Sequence, residues 1–225
     1  MKSLFYKPLA FKPKDDNDIV FWSDTHFGHA CVHWPNPLWS MRGFSSVIEH
    51  DEILIQRWNR VSTQETTFFH LGDFMFGQDA DVRFKQCISR LNFKTLYLMP
   101  GNHNSGWRQN FNAQAYNVWE VDTNKQVVFV PNYLELYVHD QPIVLSHYPL
   151  AAWNGQGKGS IMLHGHSHGN IYKDPIGEML YKALILDVGI ERFPNPLTYR
   201  ELKIWASRRT AVTFDHHSSR TANPF

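Results

Sequence analysis

Histidine is concentrated in one short stretch of the sequence, SIMLHGHSHGN, which spans residues 160–170. His164, His166 and His168 alternate along it, after an apolar lead-in and with glycines in the run. Side chains on a β-strand alternate between its two faces, so a regular strand would direct all three imidazoles to the same side. Neutral imidazole is a common metal ligand. The stretch is therefore a candidate metal site, although a histidine-rich polar loop would have the same composition.

Polar residues of the same kinds follow several other apolar segments of the chain. Each segment is predicted to form a strand, and in open α/β sheets the ligand-binding groups gather beyond the carboxyl ends of the strands. Carboxylates, an amide and imidazoles, without thiolate, suit Mn, Fe, Zn or Co. Because several independent segments share this pattern, coincidence is a poor explanation. The residues concerned are Asp24, His26, Asp73, Asn102, His103, His147, His166 and His168.

These residue types suit a site for two metal ions. Two divalent ions held roughly 3.5–4 Å apart repel each other, so a carboxylate must lie between them, and Asp73 is the natural bridge. Asp24 and His26 are two positions apart, which places an oxygen and a nitrogen on one side of a strand end. Asn102 offers a neutral oxygen and His147 a neutral nitrogen for the other ion.

The segments between these residues predict the fold that must position them. Three apolar strand-like runs alternate with two segments whose apolar residues have helical spacing. This alternation predicts βαβαβ, with parallel strands and crossover helices. Ser45 or Ser46 is the expected N-cap of the first helix. The strands are predicted at 18–26, 66–74 and 94–103, and the helices at 45–62 and 79–93.

The second half of the chain is predicted to be mostly strand, because its apolar runs are short and few have helical spacing. The whole pattern predicts an α/β fold, a two-sheet β-sandwich flanked by α-helices, with more antiparallel pairing late in the chain. The later strand-like runs are QVVFVP (126–131), YLELYVHD (133–140), PIVLSHYP (142–149), SIMLHGHSH (160–168), ALILDVGI (183–190) and YRELKIWAS (199–207).

Composition narrows the class of protein. The 225 residues suffice for one large domain, which we predict over 1–208, with 209–225 as a mobile C-terminal tail. A net charge of +1 argues against binding of extended nucleic acid, though a short oligonucleotide stays open. Cys31 and Cys87 form no C-x-x-C motif, which argues against a disulfide scaffold or a zinc ribbon. Without a signal-peptide pattern or a membrane-length apolar run, we expect a soluble cytoplasmic protein with no membrane partner.

In their order along the chain, the motifs D-x-H, GD, GNH, a lone histidine and GH-x-H resemble those of the calcineurin-like metallophosphoesterase superfamily. The motifs span residues 24–168, and the strand pattern extends the resemblance to about residue 208. The variant SDTHFGH looks most like the compact bacterial and phage phosphoesterases. The resemblance implies a four-layer αββα fold and two divalent metal ions, with Mn²⁺ as the first choice and Fe, Zn, Co or Ni as alternatives.

The resemblance also implies an activity. The protein would hydrolyse a phosphate ester, and a phosphodiester or nucleotide-like substrate is favoured over a monoester. A hydroxide that bridges the two metal ions would attack phosphorus, and His103 would steady the phosphoryl charge or protonate the leaving oxygen. The implied ligands are Asp24, His26, Asp73 and His168 for the first ion, and Asp73, Asn102, His147 and His166 for the second. His164 precedes the motif and is expected to pack or hydrogen-bond beside the site.

Loops that follow the motif-bearing strands should border the cleft and contact substrate. His29 could face the pocket or orient a ligand, Arg42 could hold a phosphate oxygen, and Trp153 could stack on a nucleobase. The residues after Asp73 lack the Asp-Arg-Gly of the Ser/Thr phosphoprotein phosphatases, which argues against that subfamily. Two alternatives stay open, a nuclease acting on short DNA or RNA and a protein-binding scaffold without turnover. The complete ligand set with His103 favours an enzyme.

Overall fold

Two mixed β-sheets form the framework of the protein. The computed structural model describes residues 8–30, 36–77, 80–103, 115–173 and 183–211. Numbered along the chain, the strands are β1 (Leu9–Phe11), β2 (Ile19–Trp22), β3 (Thr67–His70), β4 (Thr95–Leu98), β5 (Asn117–Asp122), β6 (Lys125–Phe129), β7 (Tyr133–Val138), β8 (Gln141–Ser146), β9 (Ile161–His164), β10 (Ile185–Asp187) and β11 (Leu197–Thr198). The α-helices are α1 (Leu38–Met41), α2 (Val47–Val61), α3 (Ala80–Arg90) and α4 (Tyr199–Ala206). Short 3₁₀ turns occupy Asp16–Asp18, Gln156–Lys158 and Asn170–Lys173.

The predicted βαβαβ unit is confirmed. Strands β2, β3 and β4 are parallel neighbours, and α2 and α3 connect them in the six-stranded sheet of order β11-β2-β3-β4-β6-β5. Ser46 is the N-cap of α2, and its hydroxyl accepts from the backbone N–H of Glu49 at 3.1 Å. Because strand side chains alternate, Val20 and Trp22 face the helices, with Trp58 of α2 packed in the same cluster.

An apolar layer lies between the two sheets. Ile19 and Phe21 of β2 contribute to it from the six-stranded sheet, and Leu136 and Leu163 contribute from the five-stranded sheet of order β1-β7-β8-β9-β10. All four side chains are at most 2% exposed. This shared core confirms the predicted packing of two sheets.

The outer face of the five-stranded sheet has a small cluster of its own. Val144, Met162 and Ile185 pack there with Trp153. Within the described ranges no α-helix contributes to this cluster, so the second helical layer of the expected αββα arrangement is not among them. None of the described helices is both long and apolar enough to cross a membrane. Residues 212–225 of the predicted tail lie outside the described residues. Cys31 also lies outside them, and the Cys87 thiol is free and buried.

The prediction of a strand at 199–207 was wrong, because this segment is α4. Thr198 and Glu201 form a capping box in which each side chain accepts the other's backbone N–H. Tyr199 and Leu202 are three positions apart, so a helix buries both on one face against the layer between the sheets. The polar residues between them had suggested strand alternation.

The predicted excess of antiparallel pairing late in the chain holds only in part. β5 with β6 and β7 with β8 are antiparallel, but β8, β9 and β10 are parallel. Long connections lead from β8 to β9 and from β9 to β10, so each next strand starts at the same end of the sheet, as parallel pairing requires. The short strands β1, β5 and β11 were not predicted.

Removing the α4 cap should destabilise the fold modestly. We expect Thr198→Ala to lower the free energy of unfolding by about 1 kcal/mol, because the backbone N–H of Glu201 loses its acceptor. Urea unfolding followed by circular dichroism would measure this. Thr210→Ala, at an exposed threonine beyond the helix, is the matched control and should have little effect. Equal stability of the two variants would contradict the capping role.

Candidate metal centre

The polar residues singled out in the sequence come together at one end of the two sheets. The carboxyl ends of β2, β3 and β4 lie at the same edge of the six-stranded sheet because these strands are parallel. The ends of β8 and β9, in the other sheet, lie beside this edge. The backbone N–H of His166, which follows β9, donates to the carboxylate of Asp24, which follows β2, at 3.1 and 3.0 Å. The residues so gathered are Asp24, His26, Asp73, Asn102, His103, His147, His166 and His168.

Most of the gathered residues have an unusual backbone conformation. The left-handed region is rare for residues other than glycine and is enriched at functional sites. Predicted ligands make up five of the seven non-glycine residues that adopt it in the described ranges. They are Asp24 (φ 58°), His26 (φ 49°), Asp73 (φ 52°), His166 (φ 66°) and His168 (φ 47°). The strands therefore end in sharp turns that direct these side chains into the space between the sheets.

Asp24, His26 and His168 form the first ligand group. One candidate ligand atom from each lies within 4.8 Å of the others. Burial raises the pKa of Asp24, which is 0% exposed, to about 8, and together with the nearby acids it outweighs the opposing charge of His168. Burial also keeps the pKa of His26 well below its usual value, and among the described residues neither ring nitrogen of this histidine has a hydrogen-bond partner. A buried acid beside a buried neutral imidazole is an arrangement that a metal ion would satisfy.

Asp73 lies between the first group and a second one. Its Oδ1 accepts from the backbone N–H of His103 at 2.8 Å. Its Oδ2 is 3.6 Å from Nε2 of His26 and also 3.6 Å from Nε2 of His147. Gly101 makes this position possible, because a Cβ there would lie 2.0 Å from Oδ1 of Asp73. One carboxylate is thus within reach of ligands on both sides.

His147, Asn102 and His166 complete the second ligand group. Nδ1–H of His147 donates to the carbonyl oxygen of Leu71 at 2.9 Å, so Nε2 of the neutral ring carries a lone pair. Burial lowers the pKa of His147, which favours this neutral form. Yet Nε2 lies 2.9 Å from Oδ1 of Asn102, and the same oxygen lies 2.9 Å from Nδ1 of His166. A cation between a nitrogen lone pair and an amide oxygen would stabilise this contact.

Sequence reasoning missed the residues that hold the loop after β9. Ser167 Oγ and the backbone N–H of Gly169 donate to Oδ2 of Asp187 at 2.6 and 2.8 Å, and N–H of Gly189 donates to its Oδ1 at 2.7 Å. His168 Nδ1 lies 2.7 Å from Oε1 of Glu191. Asp187 is the last residue of β10 and Glu191 directly follows the strand run 183–190, so their place at a strand end was the available signal.

Glu191 and His168 affect each other's ionisation. Burial alone would lower the pKa of His168, but the hydrogen bond to Glu191 and the negative charges of Glu191 and Asp24 together outweigh it and raise that pKa above its usual value. Burial works against ionisation of Glu191 too, yet the hydrogen bond with His168 and the charge of Arg42 hold the pKa of this carboxyl below its usual value. The pair is therefore an ionised carboxylate bound to an imidazole N–H.

The three residues predicted to contact substrate have different surroundings. His29 is buried beside the site, with its ring centroid 5.2 Å from that of His26 and 6.1 Å from that of His103. Burial lowers its pKa to about 4, so this ring is neutral at neutral pH. The structure does not bring Trp153 to the site, because its indole packs on the outer face of the five-stranded sheet and donates to the carbonyl oxygen of Ser160.

Arg42 lies behind the site, where protein acceptors engage its guanidinium. Nη2 donates to the carbonyl oxygen of Asp24 at 2.7 Å, and Nη1 donates to that of Thr25 at 3.1 Å. Nε and Nη2 both donate to Oε1 of Glu191. Its side chain is only 6% exposed. The arginine predicted to hold a substrate phosphate is thus committed to the loop that carries the first ligands.

His164 has the surroundings that its sequence position predicted. It is 0% exposed, at the end of β9, and its Nδ1 lies 2.8 Å from the carbonyl oxygen of Gly165. Gly165 in turn has no room for a side chain, since a Cβ there would lie 2.0 Å from Ser23 Oγ and 2.5 Å from Oδ2 of Asp24. The alternation of the histidines ends here, because the strand ends and the next two turn into the site.

Comparisons with known proteins support the fold. No protein-family model matches the chain. It is 26% identical over 153 residues to the uncharacterized protein MJ1445 of Methanocaldococcus jannaschii, a match covering 68% of this chain and 70% of that protein. It is 29% identical over 166 residues to the Gene 66 protein of Mycobacterium phage L5, covering 66% of this chain and 76% of the relative. The crystal structure of AQ665 from Aquifex aeolicus, a protein of unknown function, is similar with a TM-score of 0.59 at 18% identity, covering 83% of this chain and 98% of that chain. At this identity the likeness concerns the two-sheet α/β fold alone.

A side chain at residue 101 should displace Asp73 and weaken metal binding. We expect Gly101→Ala to lower Mn²⁺ affinity by at least about 10-fold, because the added Cβ would overlap the Asp73 carboxylate. Isothermal titration calorimetry on chelator-treated protein measures the change. Asp140→Asn, in the exposed turn after β7, is the control and should bind Mn²⁺ as wild type does. Wild-type affinity in Gly101→Ala would show that Asp73 is not a ligand.

His70, just before the Asp73 turn, should make the fold sensitive to acid. Thr25 Oγ1 donates to the carbonyl oxygen of Phe74 and therefore accepts from Nε2–H of His70 at 3.0 Å, and the buried Nδ1 has no hydrogen-bond partner in the part of the chain that the structure describes. Burial lowers the pKa of His70 from 6.5 to about 3. As the pH falls, His70 is protonated in the unfolded chain before it is protonated in the folded protein. The free energy of unfolding therefore decreases between pH 6.5 and about 3.

Replacing His70 should reduce this pH dependence. We expect the free energy of unfolding of His70→Gln to fall less steeply than that of wild type between pH 6.5 and about 3, by up to about 1.4 kcal/mol per pH unit. Gln keeps an N–H for Thr25 but does not titrate. Urea unfolding at a series of pH values, with chelator present in every sample, gives both slopes. Parallel slopes for the two proteins would contradict a neutral buried His70.

Proposed function

We propose that the protein is a phosphoesterase of the calcineurin-like metallophosphoesterase type that uses two divalent metal ions to hydrolyse a phosphodiester or nucleotide-like substrate. The observation that carries the proposal is the place of Asp73, whose Oδ2 is 3.6 Å from Nε2 of both His26 and His147. A carboxylate shared by two flanking ligand groups is what a two-ion site requires. The order of the motifs supports the same class of enzyme.

The donor set fits divalent ions. Oxygen ligands come from carboxylates and an amide, and nitrogen ligands come from imidazoles whose pKa values burial lowers, as for His26 and His147. Such neutral imidazoles offer lone pairs without competing protons. The carbonyl of Leu71 orients His147, as partners outside the ligand set commonly do. We infer Mn²⁺ as the first ion to test, with Fe, Zn, Co and Ni as alternatives.

The chain's own residues would divide the remaining work. When bound, the ions would place positive charge at a phosphate oxygen and lower the pKa of water for attack on phosphorus. We infer that His103 gives a proton to the departing oxygen; in support, its backbone N–H donates to Asp73 and its ring centroid lies 5.4 Å from that of His26. His29 and Phe76 flank this ring and limit its movement.

None of the three described residues predicted to contact substrate offers a free positive charge to a phosphate. Arg42, the cation predicted to meet the substrate, is committed to Glu191 and to backbone carbonyls. His29, which lies closer to the site, is neutral at neutral pH because burial lowers its pKa to about 4. A diester carries one negative charge on its phosphate, and a monoester carries nearly two at neutral pH. We therefore infer a diester preference.

Hydrolysis assays test the proposal directly. Mn-loaded wild type should cleave bis-p-nitrophenyl phosphate faster than p-nitrophenyl phosphate, and Asp73→Asn should lose at least about 100-fold of kcat/KM through loss of the shared ligand. Asp140→Asn, in the exposed turn after β7, is the matched control and should retain activity. Cleavage of the monoester alone would overturn the diester preference. Protein that binds two ions and cleaves neither ester would overturn the enzymatic function.

The role of His103 is tested by varying the leaving group. We expect His103→Ala to lose about 100-fold or more of kcat/KM on a phenyl ester, whose leaving oxygen needs a proton, and much less on the p-nitrophenyl ester. Initial rates on the two esters give the comparison. His139→Ala, at an exposed histidine, is the control and should leave both rates unchanged. Equal losses on the two esters would contradict proton donation by His103.

A further inference from the structure

A chain of charged contacts runs behind the first ligand group. Glu191 Oε1 accepts from Nε and Nη2 of Arg42 at 2.9 and 2.7 Å and also lies 2.7 Å from Nδ1 of His168. The Glu191 side chain is 23% exposed and that of Arg42 is 6% exposed, so water screens this ion pair little. Three nitrogen atoms from two side chains thus converge on one carboxylate oxygen.

The contact to His168 determines which ring nitrogen faces the site. A carboxylate can only accept, so Nδ1 of His168 carries a hydrogen, and Nε2 is the nitrogen left to bind an ion once it is deprotonated. Metal-binding histidines are commonly fixed in this way by a carboxylate, which also makes the ring a stronger donor. His168 lies within 4.8 Å of ligand atoms of Asp24 and His26, so its orientation decides whether the three can share an ion.

Arg42 connects the same carboxylate to the other side of the group. Its Nη2 donates to the carbonyl oxygen of Asp24 and its Nη1 to that of Thr25, within the turn that carries Asp24 and His26. Arg42 precedes α2, and Glu191 follows β10, so the pair links parts of the chain that are distant in sequence. The Arg42–Glu191 ion pair therefore contacts both His168 and the turn that carries Asp24 and His26.

The second ligand group is fixed differently. His147 donates to the neutral carbonyl of Leu71 at 2.9 Å, and Asn102 contacts the rings of His147 and His166. Neither Arg42 nor Glu191 takes part in these contacts. A change at Glu191 should consequently affect one ligand group and spare the other.

We propose that Glu191, held by Arg42, is a positioning residue that fixes His168 for the first metal ion and makes the binding of that ion, but not of the second, depend on the Arg42–Glu191 pair. This inference rests on the proposed two-ion site and adds two residues that the motif pattern does not contain. Glu191 acts through His168 and not on the reacting atoms, because its carboxylate is engaged by Arg42 and His168.

Calorimetric titration with Mn²⁺ tests the inference without reference to turnover. Chelator-treated wild type should bind two ions, and Glu191→Gln should bind one of them about 10- to 100-fold more weakly while the other keeps its affinity. Glu52→Gln is the matched control, because Glu52 also pairs with an arginine, Arg90, but on the surface between α2 and α3. It should bind both ions as wild type does.

A second measurement separates positioning from general loss of structure. Histidine ring ¹⁵N spectra of the metal-free protein should show His168 with its hydrogen on Nδ1 in wild type and in Glu52→Gln, and a changed ring state in Glu191→Gln. Arg42→Met should reproduce the selective loss of one ion, because Glu191 is then no longer held in place. Thermal unfolding of each variant checks that the fold persists.

These measurements test the positioning role of Glu191 and the two-ion site separately. Two ions bound with equal affinity by wild type and Glu191→Gln would overturn the positioning role and leave the two-ion site intact. Equal weakening of both ions in Glu191→Gln would also overturn it, because the effect would not be specific to the first group. Wild type that binds no Mn²⁺ or other divalent ion would overturn the proposed function itself, and the inference with it.

Discussion

The hydrogen bond from the backbone N–H of His166 to the Asp24 carboxylate is the contact on which the rest of the site depends. Asp24 follows a strand of one sheet and His166 follows a strand of the other, so this contact joins the two sheets at the end where the ligands lie. The carboxylate is completely buried, and a buried charge is costly unless it is paired. Packing of the two sheets thus buries the Asp24 carboxylate, which then needs a hydrogen-bonding or ionic partner.

That need explains several local features which would be unfavourable elsewhere. Residues such as Asp73 and His168 adopt left-handed backbone, at a cost of order 1–3 kcal/mol each, because only sharp turns direct their side chains inward. Gly101 and Gly165 lack side chains where a Cβ would overlap the carboxylates. The core of the two sheets holds these turns in place. The stability of the core therefore compensates for the backbone strain of the turns at the site.

Sequence reasoning succeeded where a polar residue follows a buried strand. The types and order of the ligand candidates were enough to predict that they would gather, because parallel strands end at the same edge. It failed for Trp153, since a tryptophan in a loop can pack on either face of a sheet and the sequence does not say which. It also failed for α4, where the Thr198–Glu201 capping box outweighed an apparent strand alternation. Arg42 and Glu191 are 149 positions apart in the sequence. No local sequence pattern therefore indicates that their side chains pair.

The long sequence separations within the site have a consequence for folding. Asp24 and His166 are 142 positions apart, and the ligand groups exist only after both sheets have formed and docked. Contacts between distant parts of a chain form late, because the entropy of closing large loops must be overcome first. Any cation that binds here would stabilise the docked arrangement over every partly assembled one. Occupancy of the site would then report that the two halves of the molecule have come together, and loss of the ion would be an early sign of their separation.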